Sequence, residues 1–221
     1  MTDKQVKSKQ RVADHGEVFT NEREVKAMLD LVKHETERIE SRFLEPACGN
    51  GNFLAEVLRR KLDTVDFKYG HSQSQWERYA VLAVTSIYGV DILADNAMEC
   101  RERLLGIFQE RYARQFSSIN PDCLRSVKYI LDLNIMHGDA LDLKNPDTHN
   151  PLIFAEWSPV NSVLLKRRDF TMDKLMRPRS SSAHDLLSDL GEEAFIPQPV
   201  AEYPLIHFLK LGDNADNQLQ S

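Results

Sequence analysis

Leu44-Glu45-Pro46-Ala47-Cys48-Gly49-Asn50-Gly51-Asn52-Phe53-Leu54 reads as a strand end, a glycine turn and a helix start in immediate succession. The run Arg42-Phe43-Leu44-Glu45 supplies the strand, and a helix beginning at Asn52 carries Phe53, Leu54, Val57 and Leu58 inward. A strand feeding a glycine turn and a helix N-terminus can hold a nucleotide-like ligand. Glycine lets the backbone approach where a Cβ would collide. The same pattern also serves as a plain structural turn, so the rest of the chain has to decide.

Working outward, strands and helices alternate. Upstream, Asn21 with Glu24 three residues later has capping-box spacing, and the helix it starts is expected to run to about Glu40. Downstream, residues 63–75 read as a loop, and a helix from Trp76 leads into Ser86-Ile87-Tyr88-Gly89-Val90-Asp91, a second strand ending in an acid. Asp95 is placed to cap the next helix, whose Met98, Leu104, Leu105, Phe108 and Tyr112 recur at helical spacing. After a break at Asn120-Pro121, a further helix leads to Asn134-Ile135-Met136-His137-Gly138-Asp139, a third strand ending in an acid. Leu152-Ile153-Phe154-Ala155 is the expected fourth strand. The alternation predicts an α/β domain with a mostly parallel sheet covered on both sides.

The three acids sharpen the ligand. Glu45 at a strand tip would repel a pyrophosphate but could accept hydrogen bonds from a cationic amino group, and S-adenosylmethionine carries one and no phosphate. The glycine turn also lacks the third glycine of a nicotinamide-binding turn. In this order, four stretches resemble the N6-adenine-specific DNA methyltransferases. Glu45 to Leu54 resembles their acid-Pro-x-x-Gly-x-Gly-x-Phe-Leu motif. Gly16-Glu17-Val18-Phe19-Thr20 is similar to the motif that precedes it, although Asn21 stands where the family usually has Pro. Ile87-Tyr88-Gly89-Val90-Asp91-Ile92 and His137-Gly138-Asp139-Ala140-Leu141 are similar to the next two motifs. The resemblance covers approximately residues 11–155 and implies a Rossmann-like, class-I S-adenosylmethionine-dependent methyltransferase fold, truncated or incomplete on its C-terminal side. It implies that Phe19 and Thr20 cover the methionine end of the cofactor. Glu45, Pro46, Ala47, Cys48, Gly49, Gly51, Asn52 and Phe53 would form its loop. Asp91 and Ile92 would take the ribose, and Asp139 and Ala140 the adenine.

The catalytic side departs from the family. There the fourth strand ends in Asn or Asp, Pro, Pro, then Tyr or Phe, which hold and stack an extruded adenine. Here the place reads Phe154-Ala155-Glu156-Trp157-Ser158-Pro159-Val160-Asn161. Ser158 and Pro159 align with the first two positions, and no aromatic follows. Glu156 and Trp157 are the shifted alternatives for acceptor and stacking surface, while a buried strand Trp is also ordinary core. Asn145-Pro146 and Asn150-Pro151 read as turns.

Composition bounds the context. The net charge of -6 argues against a chain that grips DNA by itself, because phosphate neutralisation supplies much of that affinity. The basic residues cluster only at Lys166-Arg167-Arg168 and at Arg177 and Arg179. The resemblance implies DNA as a partner in a restriction–modification setting, and with this charge the DNA is expected to be reached through a second subunit that carries target recognition. Two readings stay open: a methyltransferase or its subunit, and a catalytically impaired cofactor-binding subunit paired with an active methylase or nuclease. An RNA, protein or small-molecule acceptor is a third and weaker one. Met1 to Arg11 is polar, and no apolar run reaches membrane-spanning length, which reads as cytoplasmic. Cys48, Cys100, Cys123 and the seven histidines show no metal spacing. Residues 1–14 are expected to be a mobile N-terminus, 15–170 the cofactor-binding domain, and 171–221 an extension. Within the extension Arg177-Pro178-Arg179 reads as a loop and 183–190 as a short helix. The segment framed by Pro197, Pro199 and Pro204 and ending at Leu209 either packs on the domain or docks on another chain.

Overall fold

Three short strands lie parallel in the order β1 (Phe43–Glu45), β2 (Ile87–Asp91) and β3 (Ile135–His137) in a computed structural model that describes residues 7–15, 17–172 and 198–213. Phe43 stands opposite Ile87, and Gly89 opposite Ile135. Parallel neighbours cannot be joined by a tight turn and need a long crossover. Two helices fill each crossover: α4 (Asn52–Tyr69) and α5 (Gln73–Thr85) between β1 and β2, then α6 (Ala94–Gln115) and α7 (Pro121–Asn134) between β2 and β3. Helix α7 starts where Asn120 Oδ1 accepts from the Asp122 N–H at 3.0 Å and Pro121 has no N–H to satisfy. Upstream lie α1 (Lys9–His15), α2 (Glu22–Asp30) and α3 (Lys33–Thr36). Asn21 does cap α2, accepting from Arg23 N at 2.8 Å, but the helix stops at Asp30.

The helices bury their apolar stripes on one face of this sheet. Leu54, Leu58 and Leu62 of α4 and Leu104, Phe108 and Tyr112 of α6 are fully buried, as is Trp76 of α5. Each such side chain contributes roughly 1.5–3 kcal/mol relative to exposure. Residues 63–69, expected in a loop, continue α4. They are held by tertiary partners: Asp66 accepts from Trp76 Nε1 at 2.6 Å and from Arg111 at 2.7 Å. Met98, expected on the inner face of α6, is instead exposed. Asp95 sits in the first turn of α6 without capping it.

The other face of the sheet, carrying Tyr88, Val90 and Met136, packs on Leu152, Phe154 and Met172. Phe154 belongs to, and Leu152 and Met172 flank, a second sheet built on β4 (Ile153–Pro159) and β5 (Leu164–Thr171), which pair antiparallel with Phe154 opposite Phe170. Asn161 Oδ1 ties the turn between them by accepting from Val163 N and Leu164 N, both at 2.9 Å. The expected fourth parallel strand is thus a hairpin arm in a separate sheet. No helix lies between β3 and β4 to make a parallel crossover. β6 (Ala201–Glu202) and β7 (Ile206–His207) pair antiparallel with β5, and Phe208 and Leu211 are buried in the main core. The described part of the tail therefore packs on the domain. Arg177 to Arg179, Pro197 and the expected helix at 183–190 lie outside the described residues.

Strand alternation also takes the basic run apart. Arg167 points inward and forks onto Asp169 at 2.8 and 2.7 Å, both buried, while Lys166 pairs with Glu202 and Arg168 with Glu156. Of residues 1–14, expected to be a mobile N-terminus, 9–14 belong to helix α1. Among the described residues no helix is long and apolar enough to cross a membrane.

Candidate functional site

The carboxyl ends of β1 and β2 and the turn after β3 open on one cavity of about 470 Å³. Phe19, Thr20, Glu45, Pro46, Ala47, Cys48, Gly49, Asn52, Phe53, Asp91, Ile92, Asp139 and Ala140 all line it. Stretches far apart in the chain thus converge where ligands of open α/β sheets bind, outside the carboxyl ends of the strands.

The glycine turn is shaped by contacts beneath it. Cys48 N donates to Val90 O at 2.9 Å, and Gly51 N to Cys48 O at 2.8 Å. Gly49 (φ +52°) and Gly51 (φ +85°) take left-handed conformations that L side chains rarely adopt. A Cβ on Gly49 would come within 3.0 Å of the Phe19 ring, and one on Gly51 within 2.7 Å of Cys100 Sγ. Gly51 does not itself line the cavity; it lets the loop lie down on Cys100. Asn52 Nδ2 donates to Thr20 O at 3.0 Å, tying the Phe19-Thr20 segment to the start of α4. The neighbouring Cys100 thiol and burial push the Cys48 thiol well above its ordinary range. Its burial against Cys100 fits a packing role beneath the loop.

Asp91 is the hub. Its Oδ2 accepts from Gly49 N at 2.8 Å, and its Oδ1 from Leu93 N at 3.0 Å and Asn96 Nδ2 at 3.2 Å. Three of the four lone-pair sites of a carboxylate are filled, leaving one on Oδ2 for a ligand hydroxyl. Asn96 Nδ2 also donates to Glu17 Oε1 at 2.7 Å, and Arg11 forks onto Glu17 at 2.7 and 2.9 Å. Burial raises the Glu17 carboxyl, but these hydrogen bonds more than offset it and hold the group below its usual range. Glu45 differs: burial raises its carboxyl, and the Ala47 N–H is its one compensating partner. Asp139, which lines the cavity, accepts at Oδ1 from Leu141 N at 2.8 Å and from Asp142 N at 3.3 Å.

Among the described residues the wall therefore carries four carboxylates, Glu17, Glu45, Asp91 and Asp139, of which Glu17 is paired with Arg11 behind it, and no Lys, Arg or His. Such a wall fits a ligand with a cationic end and hydroxyls, and opposes a phosphate. S-adenosylmethionine fits on that ground and on volume, within the roughly 300–1,000 Å³ of small-molecule sites. Glu17 and Asn96 escaped the sequence reading of the site, as did Val18, Met28, Leu93, Gly138 and Leu141. The signal for Glu17 was its place two residues before Phe19; for Asn96, its place in the first turn after Asp91.

The expected catalytic residues lie elsewhere. Leu152, just before β4, packs against Gly138, and β4 runs from there away from the cavity. Trp157 is buried, its Nε1 donating to Asn134 Oδ1 at 3.1 Å, and Glu156 pairs with Arg42 at 2.9 Å. Asn134 precedes β3 and Arg42 precedes β1, so this end of β4 sits at the amino ends of the parallel strands, opposite the cavity. Ser158 and Pro159 continue in that direction, opposite Lys166 and Leu165. Hairpin pairing sets this direction, and none of Glu156, Trp157, Ser158 and Pro159 lines the cavity. Among the described residues no group of three or more His, Cys, Asp or Glu is placed to hold a metal ion. No family model matches the chain, and neither does any curated protein or solved structure.

Proposed function

We propose that this chain is the S-adenosylmethionine-binding subunit of an adenine-specific DNA methyltransferase, with the groups that position the acceptor adenine supplied from outside the cavity wall described above. One observation carries the cofactor part: a cavity at the strand carboxyl ends lined, among the described residues, by four acids and no cation. The adenine and DNA part rests on the ordered resemblance of the stretches at Phe19, Glu45, Asp91 and Asp139. When bound, S-adenosylmethionine supplies a methyl group activated by its sulfonium.

The chain's own residues bind and orient. Glu45 accepts from the ligand's ammonium and is relieved of its desolvation. Asp91, held rigid by Gly49, Leu93 and Asn96, offers its remaining lone pair to a ribose hydroxyl. Phe19 lies over Gly49 and shields the methionine end, while Asp139 faces the adenine amino group. The placement of Ser158 and Pro159 away from this wall favours the cofactor-binding subunit over the self-sufficient enzyme.

Equilibrium dialysis with labelled S-adenosylmethionine, beside labelled NAD as a phosphate-bearing competitor, tests the cofactor part. Saturable uptake of the first and exclusion of the second is expected; equal uptake would refute it. Incubation with adenine-containing DNA tests the subunit part, which fails if the chain by itself transfers methyl groups at enzyme-like rates.

A further inference from the structure

α1 is held to the body of the protein differently from α2, the described helix nearest to it in length. α2, next in the chain, buries Val25 and Leu29 in the main core. Among the described residues, α1 contributes none to either apolar cluster. Ion pairs and charge-assisted hydrogen bonds hold it instead. Arg11 reaches Asp95 at 2.6 and 3.1 Å and Glu17 at 2.7 and 2.9 Å. Lys7, just before the helix, reaches Glu99 at 2.6 Å and Asn96 at 2.8 Å, and its Nζ stands 6.0 Å from the centre of the Phe19 ring. Three of these partners, Glu17, Phe19 and Asn96, are cavity wall. The others, Asp95 and Glu99, have side chains 44% and 42% exposed, open to screening by salt.

We propose that α1 is a strap latched electrostatically across the cavity wall, and that its release governs exchange of the cavity's ligand. This rests on the cofactor reading only for the identity of that ligand. With the latch closed, Arg11 and Asn96 fix Glu17 in the wall. With it open, Glu17 loses its counter-charge and the Phe19 segment loses the cation above it. A helix anchored by charge and not by apolar burial is the element expected to open at low free energy.

The test compares the wild-type chain with Asp95→Asn, which removes the Arg11 partner without touching the cavity wall, and with Glu99→Gln as a second variant should the first not fold. Trypsin cleavage after Arg11 reports opening without any ligand. Cleavage is expected to be about fivefold faster in Asp95→Asn at low salt, with the two chains converging at about 1 M salt, where screening is complete within about 3 Å. S-adenosylmethionine should dissociate several-fold faster from the variant. Equal, salt-independent cleavage of wild type and both variants would overturn the latch. Faster cleavage with unchanged dissociation would overturn its control of exchange. A latch that responds as expected in a wild-type chain that takes up no S-adenosylmethionine would refute the cofactor reading and leave the strap standing.

Discussion

A carboxylate half-removed from water, with one backbone N–H for compensation, is held protonated to a higher pH than usual, and a cation that reaches it reverses this. Glu45 is such a group. Its folded pKa lies above the unfolded one, so in the window just above pH 4.5 the folded chain keeps a proton that the unfolded chain has lost. Stability contributed by this group therefore falls as pH rises through that window. Binding of a cationic ligand runs the other way: affinity for S-adenosylmethionine should tighten as pH rises through the raised pKa and then level off, and Glu45→Gln should flatten the profile. Titrations between about pH 5 and 7 check this. At Gly51 the left-handed backbone and the close Cys100 sulfur act together. Gly51→Ala should lower stability by about 1–3 kcal/mol in denaturant unfolding. The residues at the heart of the site were legible because strand tips and glycine turns announce themselves locally. Glu17 and Asn96 were not, because what makes them wall residues is a hydrogen bond between positions 79 apart.

Among the elements, the strand before the glycine turn depends on one buried lysine. Lys61 of α4 is fully buried and donates to Arg38 O, Ile39 O and Ser41 O at 2.9, 2.9 and 2.7 Å, pinning the segment that enters β1. Burial pulls its ammonium down to about 7. Between that value and the ordinary lysine range the unfolded chain binds a proton that the folded chain does not, so stability rises with pH there. The stability of wild type relative to Lys61→Met should grow by up to about 1.4 kcal/mol per pH unit from pH 7 to 9 in paired urea unfolding curves. Element order and strand positions were readable from period and punctuation. The extent of α4 was not: its polar last turns look like a loop until Asp63 and Asp66 meet Arg111. The direction of β4 was open to a better reading. Asn161-Ser162 between two strand-like runs signals a hairpin, and a hairpin cannot continue a parallel sheet.

At the scale of the molecule, charge decides what the chain can hold unaided. The protein is acidic, and Lys166, Arg167 and Arg168 are each engaged by a carboxylate. The described residues therefore offer no free stripe in that run to displace counter-ions from DNA. In gel-shift titrations at about 0.15 M salt the chain by itself should leave duplex DNA unshifted, with retardation appearing only when a partner chain is added. The parallel core and three of the four acids around its cavity, Glu45, Asp91 and Asp139, were visible in the sequence because they lie on consecutive strand–turn units. The second sheet that closes the opposite face was not, since it depends on which distant segment reaches Tyr88, Val90 and Met136 first.

The central claim is that Glu45 and Asp91 at the ends of β1 and β2 hold S-adenosylmethionine. Calorimetric titration of the wild-type chain beside Glu45→Gln, Asp91→Ala and Ser158→Ala tests it most directly. Saturable binding that the first two variants weaken by about tenfold or more, or roughly 1.4 kcal/mol, with Ser158→Ala unchanged, is the predicted result. A folded wild-type chain that gives no heat with S-adenosylmethionine, or one whose affinity is indifferent to Glu45 and Asp91, would contradict it.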